Sequence, residues 1–467
     1  MRWREALAPV PMSRVAVVTP RMSVRATLVR LADAGMMEIE RAEASPAGRA
    51  GGVPPQLSVT EPDLDLITRT GRADLVAGET ELAGYRAEMV ERGEVAALVG
   101  WVPKADLAGL AGRLAEVGAA AVPLPMPRGV QPPSAAPPGP ARRAFAPLVE
   151  AYTTVPYRDV DPTLLAGLAY VVMFGAMFGD VGHGALLIGI AVAIRLGRLG
   201  WLARARPYWL FIAAAGLASA LFGMAYGECF GPTGLVPTLW LAPMDQPVRL
   251  LVAAVGFGAV LLAGAYLLGT VNRVREGGWA VALYAPSGLA GGLLFLAAGL
   301  ATLAWYAHLA WAGFTAGGLA LVALALSYAG LLAAAGGGAS GVVQASIELF
   351  DVVIRIGANV VSFARLAAFG LTHAVLGAIV WRATVALWHR GAAGVAGAVV
   401  AFAVGNAVAF GLEALVAAVQ ALRLEYYELF SRVFELQGRP FRPWHVPTAE
   451  PLPAAPVRSE EEPCSPG

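Results

Sequence analysis

A series of long apolar segments begins near residue 163 and constrains the fold more than any other feature of this sequence. Each segment is near the length of the roughly 20-residue helix that crosses a bilayer core. We predict eight transmembrane helices, at residues 163–179, 181–196, 208–226, 250–271, 280–306, 311–335, 342–388 and 394–434. The last two are longer than one perpendicular crossing requires, so we expect them to be tilted or to extend beyond the bilayer.

The composition agrees with this prediction. Charged residues make up 14% of the chain and apolar residues 57%, whereas a soluble domain carries about a quarter charged residues. The sequence therefore predicts a mainly α membrane protein. Only the part before the first apolar segment and the C-terminal end have the composition of material outside the membrane.

Residues 1–145 contain short β-branched runs and amphipathic stretches, which predict a small α/β domain of two lobes. The first lobe has strands at 13–19 and 36–42 around a helix at 23–35, and the second has strands at 94–102 and 119–124 around a helix at 105–118. We expect a short helical connector at 61–92, a linker at 146–162, a polytopic membrane domain at 163–440 and a disordered, Pro- and Glu-rich tail at 441–467.

The arginines indicate an orientation, because cytoplasmic loops carry an excess of Lys and Arg. The N-terminus has no apolar h-region of a signal peptide, so we expect the first domain in the cytoplasm. The loops on that side then hold Arg195, Arg198, Arg204, Arg206, Arg273 and Arg275. The outer loop at 227–247 has no Lys or Arg. We therefore expect both termini on the cytoplasmic side.

Charge, cysteine count and motifs exclude several classes of function. A net charge of +1 gives no electrostatic footprint for nucleic acid. Cys229 and Cys464 form neither a disulfide framework nor a Cys/His metal-ligand spacing. No GxxxxGK[ST] motif occurs, and Lys104 is the only lysine. We expect no cofactor, no metal site and no ATP site in this chain.

Polar residues inside the predicted helices are the main indication of function, since each buried charge costs roughly 2.5–3.5 kcal/mol on insertion scales. In a continuous helix over 342–388, eight of them fall within an arc of roughly 140°. They are Glu348, Asp351, Arg355, Asn359, Ser362, Arg365, Thr372 and His373. In the last predicted helix, a second set falls within roughly 100°: Asn406, Glu413, Gln420, Arg423 and Tyr427. Two such faces meet only across a protein interface or a water-filled cavity.

A purely structural interpretation stays open for each of these residues taken singly. Asp351 and Arg355 have the spacing of an ion pair on one helix, and Glu413 and Arg423 could each pair with a neighbouring helix. Arg365 is different, because no acidic residue lies three or four positions from it. Its guanidinium stays protonated, so its partner must come from elsewhere.

Three ordered motifs resemble the V-ATPase subunit a family, called subunit I in prokaryotic V/A-type enzymes. Residues 156–163 (PYRDVDPT) and 173–184 (MFGAMFGDVGHG) are similar to its first-hairpin signature. Residues 362–373 (SFARLAAFGLTH) resemble its SYxRLxAxxLAH stretch, and the segment from 423 (RLEYYELFS) to Pro443 resembles its C-terminal element. Weaker similarity covers residues 100–103 (GWVP). The segment between the lobes is shorter than the family's cytoplasmic arm, and Glu425 replaces the frequent His.

The resemblance implies roles for residues at matching positions. Arg365 matches the stator arginine that faces the rotor ring, Arg423 an auxiliary arginine and Glu413 an acid of an ion half-channel. His373, Asp351 and Asn359 match polar positions along the same ion path, on which Gln420 and Ser362 are also placed. Asp180, His183 and Glu228 either line the channel or shape the first hairpin.

The function implied is that of a membrane stator subunit of a rotary V/A-type ATPase, which carries protons or sodium ions past rotor carboxylates. The partners implied are rotor-ring proteolipids, peripheral-stalk and catalytic-sector subunits, and the lipid bilayer of a prokaryotic cell membrane. ATP chemistry would belong to other subunits. Two alternatives remain: a secondary transporter, although no half-to-half repeat is visible, and a non-pumping scaffold paralogue, for which the short arm is an argument.

Overall fold

The computed structural model describes residues 9–40, 53–127, 129–137, 139–198 and 200–449. They divide into two compact units, one of residues 136–438 and one of residues 10–135 with the segment from residue 439. Each unit has a hydrophobic core of its own.

The smaller unit contains an antiparallel sheet with packed helices. Its strands are β1 (Met12–Pro20), β2 (Glu38–Ile39), β3 (Leu57–Ser58), β4 (Val90–Arg92), β5 (Val95–Pro103), β6 (Ala120–Leu124) and β7 (Thr448–Ala449). Its helices are α1 (Val24–Ala34), α2 (Leu64–Arg69), α3 (Ala73–Ala87) and α4 (Leu107–Ala115), with a 3₁₀ turn at Arg21–Ser23. The sheet order is β2-β5-β1-β6, with β4 also paired to β5, and β3 pairs separately with β7.

This shared sheet replaces the two lobes expected from the sequence. β1 belongs to the first predicted lobe and β5 to the second, yet the two pair antiparallel over nine residues, from Met12↔Pro103 to Pro20↔Val95. Val15 and Val17 of β1 are fully buried in the core that also contains Leu28 of α1 and Leu110 of α4. Two or three short strands are marginal alone, whereas the joined sheet gives both halves one core.

The start of the C-terminal segment is also ordered, in contrast to the disordered tail expected for 441–467. Trp444 and Val446 are 5% and 1% exposed in the core of the smaller unit. The backbone N–H of Trp444 donates to the carbonyl of Met37 at 2.9 Å, and β7 adds a parallel strand to β3. Two apolar side chains are enough to dock a Pro-rich segment, which composition alone does not reveal. Residues 450–467 lie outside the described residues.

The larger unit is built of helices. They are α5 (Pro140–Glu150), α6 (Thr163–Met177), α7 (Val181–Arg195), α8 (Trp209–Tyr226), α9 (Pro247–Tyr284), α10 (Leu289–Tyr306), α11 (Ala310–Ala334), α12 (Gly338–Ser362), α13 (Ala364–Trp388), α14 (Gly391–Leu424) and α15 (Ser431–Val433). A 3₁₀ helix at Gly200–Tyr208 precedes α8, and a π-helical segment at Glu425–Phe430 joins α14 to α15. α5 covers residues that the sequence had divided between the first domain and a linker.

Within the described residues, six helical stretches are long and apolar enough to cross a membrane. They are Gly200–Tyr226, Pro247–Tyr284, Leu289–Tyr306, Ala310–Ala334, Gly338–Trp388 and Gly391–Val433. α6 and α7 are apolar but only 15 residues long. Each of the eight predicted segments thus coincides with helix, although two are short for a bilayer crossing. The chain is a mainly α-helical integral membrane protein.

The segment expected as one helix over 342–388 is broken where its central arginine lies. α12 ends at Ser362 and α13 begins at Ala364, and Phe363 between them has ψ −12°. Its N–H bonds to the carbonyl of Val360, an i→i−3 contact that tightens the turn. The ring of Phe363 is fully buried, and a Cβ at Gly258 of α9 would lie 2.1 Å from it. This close packing holds the turn at Phe363, two residues before Arg365.

The last predicted helix is also irregular, because α14 passes into a six-residue π-helical segment. Such π-turns are rare and concentrate at functional sites. α13 packs along α14, and α6 contacts both. Most side chains of α14 are not buried within this chain, which leaves them available to lipid or to another polypeptide.

Candidate functional site

The intramembrane polar residues of the sequence form two separate groups in the structure. The first, called the histidine cluster below, consists of Asp180, His183, Glu228, His373 and Glu413. The second, called the arginine group, consists of Arg365, Arg423, Glu428 and Arg432. Both groups draw on α13 or its neighbours, but they differ in burial and in charge balance.

Asp180 is anchored in the tight turn between α6 and α7. It is fully buried and caps α7, since its Oδ1 accepts a hydrogen bond from the backbone N–H of His183 at 2.9 Å. Its Oδ2 accepts from the Gly231 N–H at 3.0 Å, which ties the hairpin to the segment after α8. Gly182 is required for this approach, because a Cβ there would lie 2.4–2.6 Å from the ring of Phe230.

His183 is enclosed by aromatic rings and has 2% of its surface exposed. Its imidazole stacks on Phe178 with the centroids 5.5 Å apart, and Phe230 presents an edge at 5.3 Å. Among the described residues, neither ring nitrogen has a hydrogen-bond partner. A buried polar group without a partner is rare and calls for an explanation.

His373 and Glu413 connect α13 to α14. The Nδ1 of His373 contacts Glu413 Oε2 in a short hydrogen bond, and the imidazole is 5% exposed. Its ring lies 5.6 Å from that of His183 and 5.0 Å from that of Phe178. The second oxygen of Glu413, Oε1, is buried and without a partner within the described part of the chain.

Glu228, in the segment after α8, completes the cluster and is 5% exposed. The charged groups that act on it are the imidazole of His373 and the carboxyl groups of Asp180 and Glu413. Three carboxyl groups and two imidazoles thus share one buried site. Within the described residues, none of the three carboxylates has an Arg or Lys partner within 4.0 Å.

The arginine group surrounds the bend before α13. Arg365 is half-buried, and among the described residues its Nη1 has no hydrogen-bond partner and its guanidinium makes no ion pair within 4.0 Å. The charges that act on it are those of Arg423, which is exposed, and Glu428 on the π-helical segment. Glu428 is 7% exposed and lies among Arg365, Arg423 and Arg432, beside Ser362. Positive charge therefore exceeds negative charge here.

The other predicted residues lie outside these two groups. In the amide orientation that satisfies its neighbours, Asn359 donates to the Arg355 carbonyl at 3.1 Å and accepts from Arg432 at 2.8 Å. Asp351 forms an exposed ion pair with Arg355 at 2.5 Å on the same helix, which is the structural alternative left open by the sequence. The Oε1 of Gln420 is buried without a partner among the described residues.

The sequence analysis did not select Glu428 or Arg432 as site residues. Glu428 belongs to the C-terminal motif that begins at Arg423, so the motif itself contained the signal. Arg432 gave no signal, because its neighbours come from other helices: its guanidinium lies 5.6 Å from the ring centroid of Tyr266 on α9.

The chain is similar in sequence to several known proteins. Residues 87–240 match the V-type ATPase 116kDa subunit family. The A-type ATP synthase subunit I of Halobacterium salinarum is 28% identical over 388 residues, which cover 66% of this chain and 50% of that protein. The A-type ATP synthase subunit I of Aeropyrum pernix is 28% identical over 355 residues, covering 65% and 50%.

A bacterial relative is similar over a shorter region. The V-type ATP synthase subunit I 2 of Treponema pallidum is 30% identical over 155 residues, which cover 28% of this chain and 34% of that protein. The chain spans about half the length of the first two relatives. The sequence motifs, the helical architecture and these similarities agree in relating the chain to the V-type ATPase 116kDa subunit family.

Proposed function

We propose that this chain is the membrane stator subunit of a rotary V/A-type ATPase and that it supplies the ion half-channels and the arginine that faces the rotor carboxylates. Its relatives are named as A-type and V-type ATP synthase subunits. The single observation that carries the proposal is the guanidinium of Arg365, which lies on a membrane helix without an ion-pair partner among the described residues. A permanent charge in that setting requires an acid from another polypeptide.

The exposed surface beside Arg365 supports a large intramembrane partner. Along α14, bulky apolar side chains point away from the unit, with Val404, Val408, Leu412 and Leu415 each more than half exposed. Arg423, on the same helix, is exposed as well. A rotor ring of proteolipid helices, each with one membrane carboxyl, fits a surface that is apolar but carries two arginines.

The order of groups along α12 and α13 supports two half-channels. His373 is eight residues after Arg365, roughly 12 Å along a helix, and Asp351 is fourteen residues before it, roughly 21 Å. The positive-inside pattern assigns the histidine cluster to the outer half and Asp351 to the cytoplasmic half, with both termini in the cytoplasm. Arg365 then separates the half-channels and opposes a direct leak of cations.

The mechanism follows from electrostatics. An ion from one half-channel neutralises a rotor carboxylate, which can then rotate through lipid. When that carboxyl returns to Arg365, the ion is released into the other half-channel. The reason is that a guanidinium at about 4 Å stabilises the ionised carboxylate by roughly 4 kcal/mol at an effective dielectric of 20. This corresponds to about three pKa units in favour of the ionised acid. The chain's own catalytic contribution is therefore charge placement, and ATP chemistry belongs to the partner subunits.

The first test is purification of the full chain in mild detergent from its native membrane. We expect an acid-bearing proteolipid ring, catalytic-sector subunits and peripheral-stalk subunits to elute with it. Recovery of the chain alone, from membranes that contain an assembled ATPase, would contradict the proposal.

The second test uses Arg365→Ala in the assembled complex reconstituted into vesicles. We expect ATP-driven ion transport to be lost while the complex still assembles. The matched control is Arg382→Ala, an exposed arginine farther along α13, which should transport normally. Coupled transport by Arg365→Ala would refute the role of this arginine.

A further inference from the structure

We propose that Asp180, His183 and His373 form a binding site for a divalent transition-metal ion of the zinc type. One ligand atom from each residue lies within 4.8 Å of the other two. The three residues are 0%, 2% and 5% exposed. They come from the α6–α7 turn, from α7 and from α13, so no local sequence spacing indicates the site.

The unpartnered imidazole of His183 is an independent observation in favour of a ligand. Both of its nitrogens are buried and make no hydrogen bond within 3.5 Å among the described residues, although Asp180 Oδ1 lies 3.9 Å from Nδ1 and Asn406 is nearby. Neighbouring Asn406 uses its amide Nδ2 for the Phe402 carbonyl at 2.9 Å. The Phe178 and Phe230 rings hold the imidazole in place beside His373. A metal–nitrogen bond would satisfy a nitrogen that the protein leaves free.

The distances require a small closure of the site. Zinc binds imidazole nitrogen and carboxylate oxygen at about 2.0–2.2 Å in a tetrahedron, which places ligand atoms about 3.3 Å apart. Ligand atoms within 4.8 Å reach that spacing by side-chain rotation on the order of 1 Å. Two histidines with one carboxylate are a common zinc ligand set, and the fourth position stays open for water.

The surroundings also provide the outer shell that such sites need. The short hydrogen bond from His373 Nδ1 to Glu413 leaves Nε2 as the ligand atom and orients the ring. Asp180 is fixed by two backbone N–H donors and keeps further lone pairs. Carboxylate–histidine–metal arrangements of this kind raise metal affinity about 10–100-fold.

Charge balance gives a third reason. With neutral imidazoles, Asp180 and Glu413 together carry two negative charges when both are ionised, and none of the described arginines or Lys104 lies within 4.0 Å of either. One divalent cation neutralises this pair inside a low-dielectric site. Buried charges that are paired or bound to a metal are the ones that proteins tolerate.

The metal site itself does not depend on the proposed function. One consequence does rest on it: if the histidine cluster is an ion half-channel, a bound metal ion blocks that channel. Micromolar zinc should then inhibit ATP-driven transport. Tight zinc binding without inhibition would support the metal site and count against the half-channel.

The decisive experiment titrates Zn²⁺ into the metal-free full chain, purified in detergent without a histidine tag, by calorimetry. We expect one site per chain, at least 10-fold weaker in His183→Gln and in Glu413→Gln. His389→Gln is the matched control, because His389 is exposed at the end of α13, and it should bind as the original chain does. Equal affinity in the original chain and His183→Gln would overturn the proposal, as would absence of binding in the micromolar range.

A measurement on the unsubstituted chain avoids any dependence on folding of the variants. Zinc-edge X-ray absorption should show nitrogen and oxygen ligands with the outer-shell scattering of two imidazoles. A sulfur ligand from Cys229, or a shell of oxygens alone, would contradict the assignment.

Discussion

The histidine cluster and the arginine group share one helix, α13, yet they differ in whether their charged groups are paired within this chain. In the cluster, Glu413 is paired with His373 and the hairpin acid Asp180 is held by backbone N–H groups, all within this chain. In the arginine group, three arginines surround Glu428, and Arg365 keeps a nitrogen without a partner among the described residues. In the first region, Asp180 and Glu413 are hydrogen-bonded within this polypeptide, whereas the second region has an excess of positive charge that an acid of a partner could neutralise.

This difference separates what each region contributes. Groups that are buried and mutually bonded contribute to stability as well as to any ion path, so their removal affects folding. Groups that are exposed or unpaired contribute little to the stability of the isolated chain. Substitutions should therefore divide into those that lower the unfolding temperature and those that abolish transport without lowering it.

The largest expected effect is that of Arg365→Lys. The ammonium keeps the charge but lacks the broad planar guanidinium with its fork of donors. We expect ATP-driven transport in vesicles to fall at least 100-fold, or roughly 3 kcal/mol. Thermal unfolding of the isolated chain should change little, because Arg365 makes no ion pair with any residue that the structure describes.

The control is Arg382→Lys on the same helix, which should leave transport intact. If the unfolding temperature of Arg365→Lys were several degrees below that of the control, Arg365 would be a structural residue. The contrast between the two regions would then be lost.

The second prediction compares Glu413→Gln with Arg423→Gln. The first removes a charged partner from buried His373 and should destabilise the chain by about 1–3 kcal/mol. The second removes an exposed side chain without an ion pair among the described residues and should change stability by less than about 0.5 kcal/mol. Thermal unfolding in detergent measures both changes in stability. A larger loss in Arg423→Gln than in Glu413→Gln would contradict the contrast between the two regions.

Sequence reasoning located the helices well because apolar length is a local property. The spans near 163–196, 208–226 and 311–335 need no tertiary information. The same reasoning missed the break at Phe363, which depends on the close approach of Gly258 from another helix. It also treated residues 342–388 as one regular helix, so all the polar positions seemed to lie along a single ion path.

Within the site, local motifs were informative and long-range juxtapositions were not. Asp180 and His183 were identified from the hairpin motif and His373 from another, but nothing local indicated that the imidazoles of residues 183 and 373 lie 5.6 Å apart. The expectation of no metal site rested on local spacing alone, and the proposed zinc titration tests it. The joined sheet of the smaller unit was missed for a related reason, since β1 and β5 are more than 70 residues apart.

A third prediction tests how tightly the cluster is closed. In Gly182→Ala, the new Cβ would collide with the ring of Phe230, one wall of the His183 enclosure. We expect a loss of about 1–3 kcal/mol, seen as a lower unfolding temperature. Gly189→Ala on the same helix is the matched control, because nothing lies within 4 Å of its Cβ, and it should be neutral or stabilising by up to about 1 kcal/mol.

The smallest expected effect concerns Asp159, a fully buried acid before α6 that belongs to neither group. Burial raises the pKa of its carboxyl to about 7 and Glu276 adds to the shift, while Arg273 and Arg275 oppose it. The folded chain thus holds a proton that the unfolded chain loses near pH 4, so stability is highest below pH 4 and falls as pH rises to about 7. Between pH 6 and pH 8 the loss of stability from this group is about 1 kcal/mol.

In Asp159→Asn that contribution disappears, and the unfolding temperature should fall less over this range than in the original chain. An unchanged pH dependence would mean that the acid is ionised at neutral pH, with its charge compensated by the two arginines.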